Sequence, residues 1–304
     1  MAAKDRLATM ADSIDRGALE DAPLSGSNAP YAAELAFALS LADRADAISL
    51  SRYQALDLEI TTKPDNTPVT DADKAVERAI IDAIAAQYPN DGVVGEEFGS
   101  NGGKDRYWII DPIDGTKNFL RGVPTWATLI ALVETKDGTE KVVVSVVSSP
   151  ALYRRWYATV GGGAFVVEGL GSGSSTAITI AGAVNQPSPK RIAVSKVSAI
   201  SDASIAYSDF QGWGARRSAF EKLLDSAWRS RGMGDFWSHM LVAEGAVDVA
   251  IEPSLALWDM AALDLIVREA GGRFSSLDGV DGPFGPNAIS SNGLLHEAVL
   301  EAIK

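Results

Sequence analysis

Between residues 31 and 53 Ala and Leu recur at three- and four-residue intervals, the spacing that lines apolar side chains along one side of a helix. The turn-rich stretch TTKPDNTPVTDAD follows and leads into a second helical pattern at 74–88. Asp71 and Asp73 stand near its start, where the helix dipole favours acidic residues. From Gly92 the period changes. Short β-branched and aromatic runs at 107–110, 127–133, 142–147, 154–159 and 164–167, punctuated by Gly and Pro, predict strands. The Gly/Ser stretch at 169–175 reads as a boundary or exposed loop, and its glycines lack the strand–turn–helix setting of a dinucleotide site. Beyond it, strands near 191–195 and 247–251 alternate with helices near 217–228, 237–245, 257–270 and 294–303, which suggests a second α/β layer system. Residues 1–29 have little periodicity. The pattern thus divides the chain into an N-terminal extension (1–29), an α+β half (30–180) and an α/β half (181–304).

Composition narrows the chemistry. Of 304 residues, 46% are hydrophobic and 22% charged, so the chain has material for a buried core. A net charge of −13 argues against nonspecific nucleic-acid binding, which needs a basic face. A phosphate-bearing substrate remains compatible, because divalent cations held by acidic residues supply positive charge. The absence of cysteine removes disulfides, thiolate nucleophiles and Cys-based metal sites. No run of about 18 apolar residues suggests a membrane span, and the polar N-terminus lacks a secretory core, so a cytoplasmic protein is expected.

The segment WIIDPIDGTKNF (108–119) carries the strongest chemical signal. An apolar strand ends in Asp111, is stopped by Pro112, and turns through Asp114 and Gly115. Two carboxylates on such a corner can converge on one cation, and magnesium prefers oxygen ligands while keeping positions open for phosphate. Alone, the pattern would more often be a turn. Upstream, GEEFG (95–99) ends another apolar run, and only one of the adjacent Glu96 and Glu97 can face inward in an extended chain.

Together these segments resemble the inositol monophosphatase-like family of metal-dependent phosphatases, from about residue 31 to the C-terminus. One signature is Trp108-x-x-Asp111-Pro112-x-Asp114-Gly115-Thr116-x-Asn118-Phe119, and another is Trp258-Asp259-x-Ala261-Ala262 followed by Glu269-Ala270-Gly271-Gly272. Gly95-Glu96-Glu97 and Val69-Thr70-x-x-Asp73 complete the match. The resemblance implies a layered αβαβα sandwich of the inositol monophosphatase / fructose-1,6-bisphosphatase type, usually a homodimer, with two or three Mg2+ ions per site. It further implies that Glu96, Asp111 and the Ile113 carbonyl hold a first metal, and that Asp111, Asp114 and Asp259 hold a second. Glu96 would assist a third, Thr116 paired with Asp73 would orient a metal-activated water, and the Gly115 and Thr116 amides would cradle phosphate. The first half would then carry most metal ligands, and the second would carry Asp259 and the specificity residues. Lys63 matches a family position near the active site.

Within the family the wording of 118–132, 208–214 and 231–263 looks like the bacterial histidinol-phosphatase branch. Glu252 aligns with a substrate-facing acid and Asp235 with a small apolar residue beside the substrate. An added carboxylate would suit the cationic amine and imidazole of histidinol phosphate. Asp235 reads equally well as a helix N-cap before Phe236. Trp126 and Trp237 are each either an imidazole platform or, more simply, core. Arg121, Arg216 and Arg217 are candidate substrate or subunit contacts or plain surface. The only histidines, His239 and His296, read as a packing residue and a surface residue. The expected function is Mg2+-dependent hydrolysis of histidinol phosphate, a small phosphorylated metabolite. Inositol-1-phosphate hydrolysis, broad sugar-phosphate hydrolysis and a non-catalytic regulatory module are the alternatives.

Overall fold

Alternation along one strand decides how the central sheet is covered. In β5 (Arg106–Asp114) Tyr107 and Ile109 are buried in one core and Trp108 and Ile110 in another, because successive side chains leave a strand on opposite faces. The computed structural model describes residues 30–63, 67–103, 105–169 and 188–304. The expected extension, nearly all of the Gly/Ser stretch and the 180/181 division lie outside them.

Flanking β5 are β3 (Gly92–Gly95), β4 (Gly99–Asn101), β6 (Ala127–Lys136), β7 (Thr139–Ser149), β8 (Arg154–Thr159), β9 (Gly163–Glu168) and β10 (Lys190–Arg191). They form an eight-stranded sheet in the order β10-β9-β8-β7-β6-β5-β3-β4, antiparallel except for β3 beside β5. A separate hairpin pairs β1 (Ile60–Thr62) with β2 (Pro68–Thr70). Helices α1 (Ala32–Arg52) and α2 (Asp71–Gln87) cover one face of the large sheet through Leu41, Val76, Ile80 and Ile84. Short helix α3 (Thr116–Leu120) follows β5.

The second half builds a five-stranded sheet, β12-β11-β13-β15-β14, from β11 (Ser204–Tyr207), β12 (Arg229–Gly232), β13 (Val249–Glu252), β14 (Arg273–Ser275) and β15 (Ala288–Ser291). Helices α5 (Asp235–Ala243) and α6 (Leu257–Glu269) lie between the sheets: Phe236, Met240, Leu263 and Ile266 share one core with Leu129 and Trp156 on one side and Ala250 and Phe274 on the other. Helices α4 (Arg217–Ser226) and α7 (His296–Ala302) close the outer face through Phe220, Leu223 and Val299. The layers therefore run helix, sheet, helix, sheet, helix, the αβαβα sandwich that the sequence implied.

Three expectations change in detail. Helix α2 begins at Asp71, a turn earlier than the periodicity suggests, because Thr70 caps it: its hydroxyl accepts from the Ala72 and Asp73 amides, and the Asp73 carboxylate accepts from the Thr70 amide. The strand expected at 191–195 is cut to two residues. The Ile192 amide bonds to Ala164 but the Val194 amide bonds to Ala270, so the backbone leaves the large sheet for the end of α6. His296, expected at the surface, is fully buried between the Ser275 and Ser291 hydroxyls at 2.8 and 2.9 Å, and burial lowers its pKa to about 4. His239 packs as expected, with Nδ1 on Ser290 at 2.8 Å.

One ion cluster ties the first helical layer to the sheet. Arg155 is 7% exposed; Nη1 reaches Asp43 at 2.8 Å, Nη2 reaches Asp46 at 2.7 Å, and Nε donates to the Ser148 hydroxyl at 2.9 Å. Burial pushes the Asp46 carboxyl up, and the guanidinium opposes that push. In denaturant unfolding, Arg155→Met is expected to cost about 3–5 kcal/mol, because it strands a buried carboxylate, and adding Asp46→Leu should recover most of the loss. A cost below about 1 kcal/mol would show the pair to behave like an exposed one.

Candidate active site

On a regular strand, residues three apart face opposite ways, so Asp111 and Asp114 should diverge. They do not. Asp111 pairs with Leu129 and Asp114 with Ala127, so β5 uses three steps where β6 uses two, and this bulge swings the second aspartate to the side of the first. The corner is pinned from within: the Ile113 amide donates to Asp111 Oδ1 at 3.0 Å and the Thr128 hydroxyl to the Pro112 carbonyl at 2.8 Å. Gly115 then turns with φ +82, and a Cβ there would stand 3.0 Å from the Thr125 carbonyl and 3.4 Å from Asp235 Oδ2.

The other carboxylates arrive from separate elements. Asp259 sits in the first turn of α6 and accepts from the Ala256 amide at 2.7 Å, beside the positive end of the helix dipole. Oxygens of Asp111, Asp114 and Asp259 lie within 4.8 Å of one another. Glu96 follows the end of β3, its amide bonded to the Ile110 carbonyl at 3.3 Å, and its side chain is turned to Lys63 Nζ at 2.6 Å. The same ammonium lies 2.6 Å from Glu97. Asp73, fully buried, accepts the Thr70 hydroxyl at 2.5 Å.

This much negative charge is hard to hold. Burial, then Glu96, Asp114 and Asp259, push the Asp111 carboxyl well up. Burial and Asp235 do the same to Asp114, against the Phe236 amide that donates to its Oδ2 at 2.6 Å. Burial raises Asp259 and Asp73 to about 6. Among the described residues no cation is ion-paired with Asp111, Asp114 or Asp259. Buried oxygen donors without counter-charge fit hard divalent cations, and the residues present therefore suit Mg2+.

Two implied details differ. The Thr116 hydroxyl donates to the Ile113 carbonyl at 3.1 Å and Asp73 is engaged by Thr70, so Thr116 and Asp73 are not bonded to each other and the carbonyl expected to face a metal holds a hydroxyl. Asp235 is the first residue of α5 and not its cap, a place taken by Gly234. Its backbone is left-handed at φ +51, its amide donates to the Ser208 hydroxyl at 3.0 Å, and its Oδ2 accepts from Asn118 at 3.0 Å. Glu252, 2% exposed, accepts the Ser208 hydroxyl at 2.6 Å and is raised by burial to about 8.

The remaining candidates fall away from the cluster. Trp126 is enclosed by Phe119 and Tyr53, with ring centres 5.0 and 5.4 Å away, beneath the aspartate corner. Trp237 packs on Trp156. Arg216 pairs with Asp278, Arg217 pairs with Glu221, and Arg121 is exposed. Ser208 and the Phe236 amide were not singled out from sequence. A lone serine and a backbone donor carry no pattern, whereas the Thr70–Asp73 spacing is a capping signal that could have been read.

Comparison with known proteins gives this geometry a lineage. The sequence matches the inositol monophosphatase family over residues 32–304. The chain belongs to that family. Within the family, a histidinol-phosphatase of Mycobacterium tuberculosis is 52% identical over 270 residues, covering 88% of this chain and 96% of that protein. One from Streptomyces coelicolor is 50% identical over 272 residues, covering 89% and 96%. A solved Thermotoga maritima IMPase superposes with a TM-score of 0.74 at 29% identity, over 89% of this chain and 96% of that one. The inositol monophosphatase fold thus places the carboxylate corner at the junction of β5, α5 and α6.

Because Asp111, Asp114 and Asp259 are held above the ordinary carboxylate range by burial and by one another, a divalent cation such as Mg2+ binding among them would displace protons. Titration calorimetry at pH 6 in buffers of different ionisation enthalpy should show proton release on Mg2+ binding, and affinity should fall further as pH drops below about 6, the value to which Asp259 is raised. Equal heats in all buffers would contradict the shared protonation.

Proposed function

We propose that this chain hydrolyses L-histidinol phosphate to L-histidinol and inorganic phosphate in histidine biosynthesis. The reading is supported above all by its likeness to two histidinol-phosphatases over nearly their full length. Asp235 gives it a physical basis. This carboxylate faces the aspartate corner from the C-terminal half, held by Asn118, with Glu252 behind it through Ser208. Two acids at the leaving-group end suit an alcohol carrying an ammonium and an imidazole, and are less suited to a neutral polyol.

In this reading Glu96, Asp111, Asp114, Asp259 and the Ile113 carbonyl hold two or three Mg2+ ions. Bound there, the cations lower the pKa of the attacking water and offset charge on the phosphoryl oxygens. The Gly115 and Thr116 amides cradle the phosphate, Thr116 and Asp73 orient the nucleophile, and Asp235 and Glu252 orient the alcohol. For Thr116 to take that part its hydroxyl would have to leave the Ile113 carbonyl, which would then be free as a ligand. Residues 30–180 supply most cation ligands and 181–304 the specificity. A cytoplasmic homodimer completes the reading.

A panel of phosphomonoesters assayed with and without Mg2+ tests it: kcat/KM for histidinol phosphate should exceed that for inositol 1-phosphate by at least about 100-fold, and comparable values would overturn the substrate assignment. Asp235→Ala should cost histidinol phosphate about tenfold or more while sparing a generic aryl phosphate. Equal losses on both would reduce Asp235 to a structural role. Asp111→Asn should lower kcat more than Asp114→Asn or Glu96→Gln, since Asp111 would serve two cations.

A further inference from the structure

Glu77, on α2, has no part in the chemistry above and yet is fully buried. Its two oxygens are both used by one loop: Oε2 accepts from the Glu97 amide at 2.8 Å and Oε1 from the Phe98 amide at 2.9 Å. Burial pushes this carboxyl up, and the two amides oppose that push. Gly95 lies directly against it. A Cβ on Gly95 would come 2.0 Å from Oε1 and 2.5 Å from Cδ, so glycine is what lets the carboxylate reach under the loop. The next residue of the helix, Arg78, stacks its guanidinium 4.2 Å from the centre of the Phe98 ring. Helix α2 therefore grips residues 97 and 98 by main chain and side chain, directly after Glu96.

We infer that Glu77 is a positioning residue that holds the Gly95–Phe98 loop so that Glu96 is presented to the cation cluster. The inference rests on the reading of Glu96 as a cation ligand. A residue one bond from the gripped peptide has little freedom of its own. Releasing amides 97 and 98 frees the backbone on which the Glu96 carboxylate is carried, and Lys63, already on both Glu96 and Glu97, is then able to draw the loosened pair outward. Losing such an outer support typically weakens metal affinity by about 10–100-fold.

The test uses the full chain and Mg2+ itself. In Glu77→Gln an amide nitrogen replaces one acceptor and faces a backbone N–H, and in Gly95→Ala the added methyl pushes the carboxylate off the loop from the other side. Both variants should bind Mg2+ about tenfold or more weakly by calorimetry, with faster hydrogen exchange at the Glu97 and Phe98 amides. The melting temperature of the Mg2+-free form should fall by several degrees at most, the cost of a buried unsatisfied group, and Glu77→Asp should recover only part of the affinity because its shorter arm reaches one amide. Unchanged Mg2+ affinity in the variants, with exchange accelerated, would overturn the positioning role. So would affinity lost only in proportion to a general fall in melting temperature. Glu96→Gln measured alongside separates the two layers: if it too leaves Mg2+ affinity unchanged, the assignment of Glu96 as a ligand has failed, and with it the role of Glu77. If Glu96→Gln weakens Mg2+ and the Glu77 and Gly95 variants do not, only the positioning role has failed.

Discussion

Carboxylates repel one another, and this structure depends on keeping several of them together in a place where water cannot screen them. Nothing in their own interaction can do it, so each is fastened by something else. A backbone amide holds Asp111 from within its own turn, another holds Asp259 at a helix start, and a third reaches Asp114 from the opposite half of the chain. Lys63 takes Glu96, and Thr70 takes Asp73. Amide dipoles stabilise the ionised form without filling the space between the oxygens. The centre of the cluster is thereby left for a cation, whose charge the arrangements around Asp111, Asp114 and Asp259 lack.

The layered fold follows from the same need. Helices α5 and α6 serve both sheets at once, and each delivers its first turn to the aspartate corner. A helix start is where free N–H groups point outward, so placing two of them at the edge of the large sheet brings donors to the carboxylates with no additional side chains. The apolar packing of Phe236, Met240, Leu263 and Ile266 thus fixes electrostatics some residues away.

Much of this was legible in the chain. The runs at 107–110 and 127–133 announced the central strands because they are short, β-branched and aromatic, and bounded by turn formers, and the spacing of Asp111, Asp114 and Gly115 announced a corner. The bulge that turns Asp114 to the side of Asp111 was not legible, since it depends on β6 pairing two residues against three. Strands β11, β14 and β15 were missed because three or four residues carry too little periodicity to declare a strand. His296 looked like a surface residue because it sits in a polar C-terminal helix, but the two serines that enclose it come from different strands. Asp235 shows the limit most clearly. Its identity suited a cap and a substrate contact equally; Gly234 has the cap position, and the carboxylate bonds Asn118 instead.

The bond from the Phe236 amide to Asp114 has a consequence for how such an enzyme diversifies. It anchors the start of α5 to the reactive corner through main chain alone, and main chain is common to every amino acid except proline. The neighbouring side chain at 235 is therefore held beside Asp114. On the proposed reading, a scaffold of this kind would meet a different alcohol by exchanging that one group for another that tolerates its left-handed backbone, with the carboxylate corner untouched. Selectivity and reactivity share a wall, and only one side of it is open to rewriting.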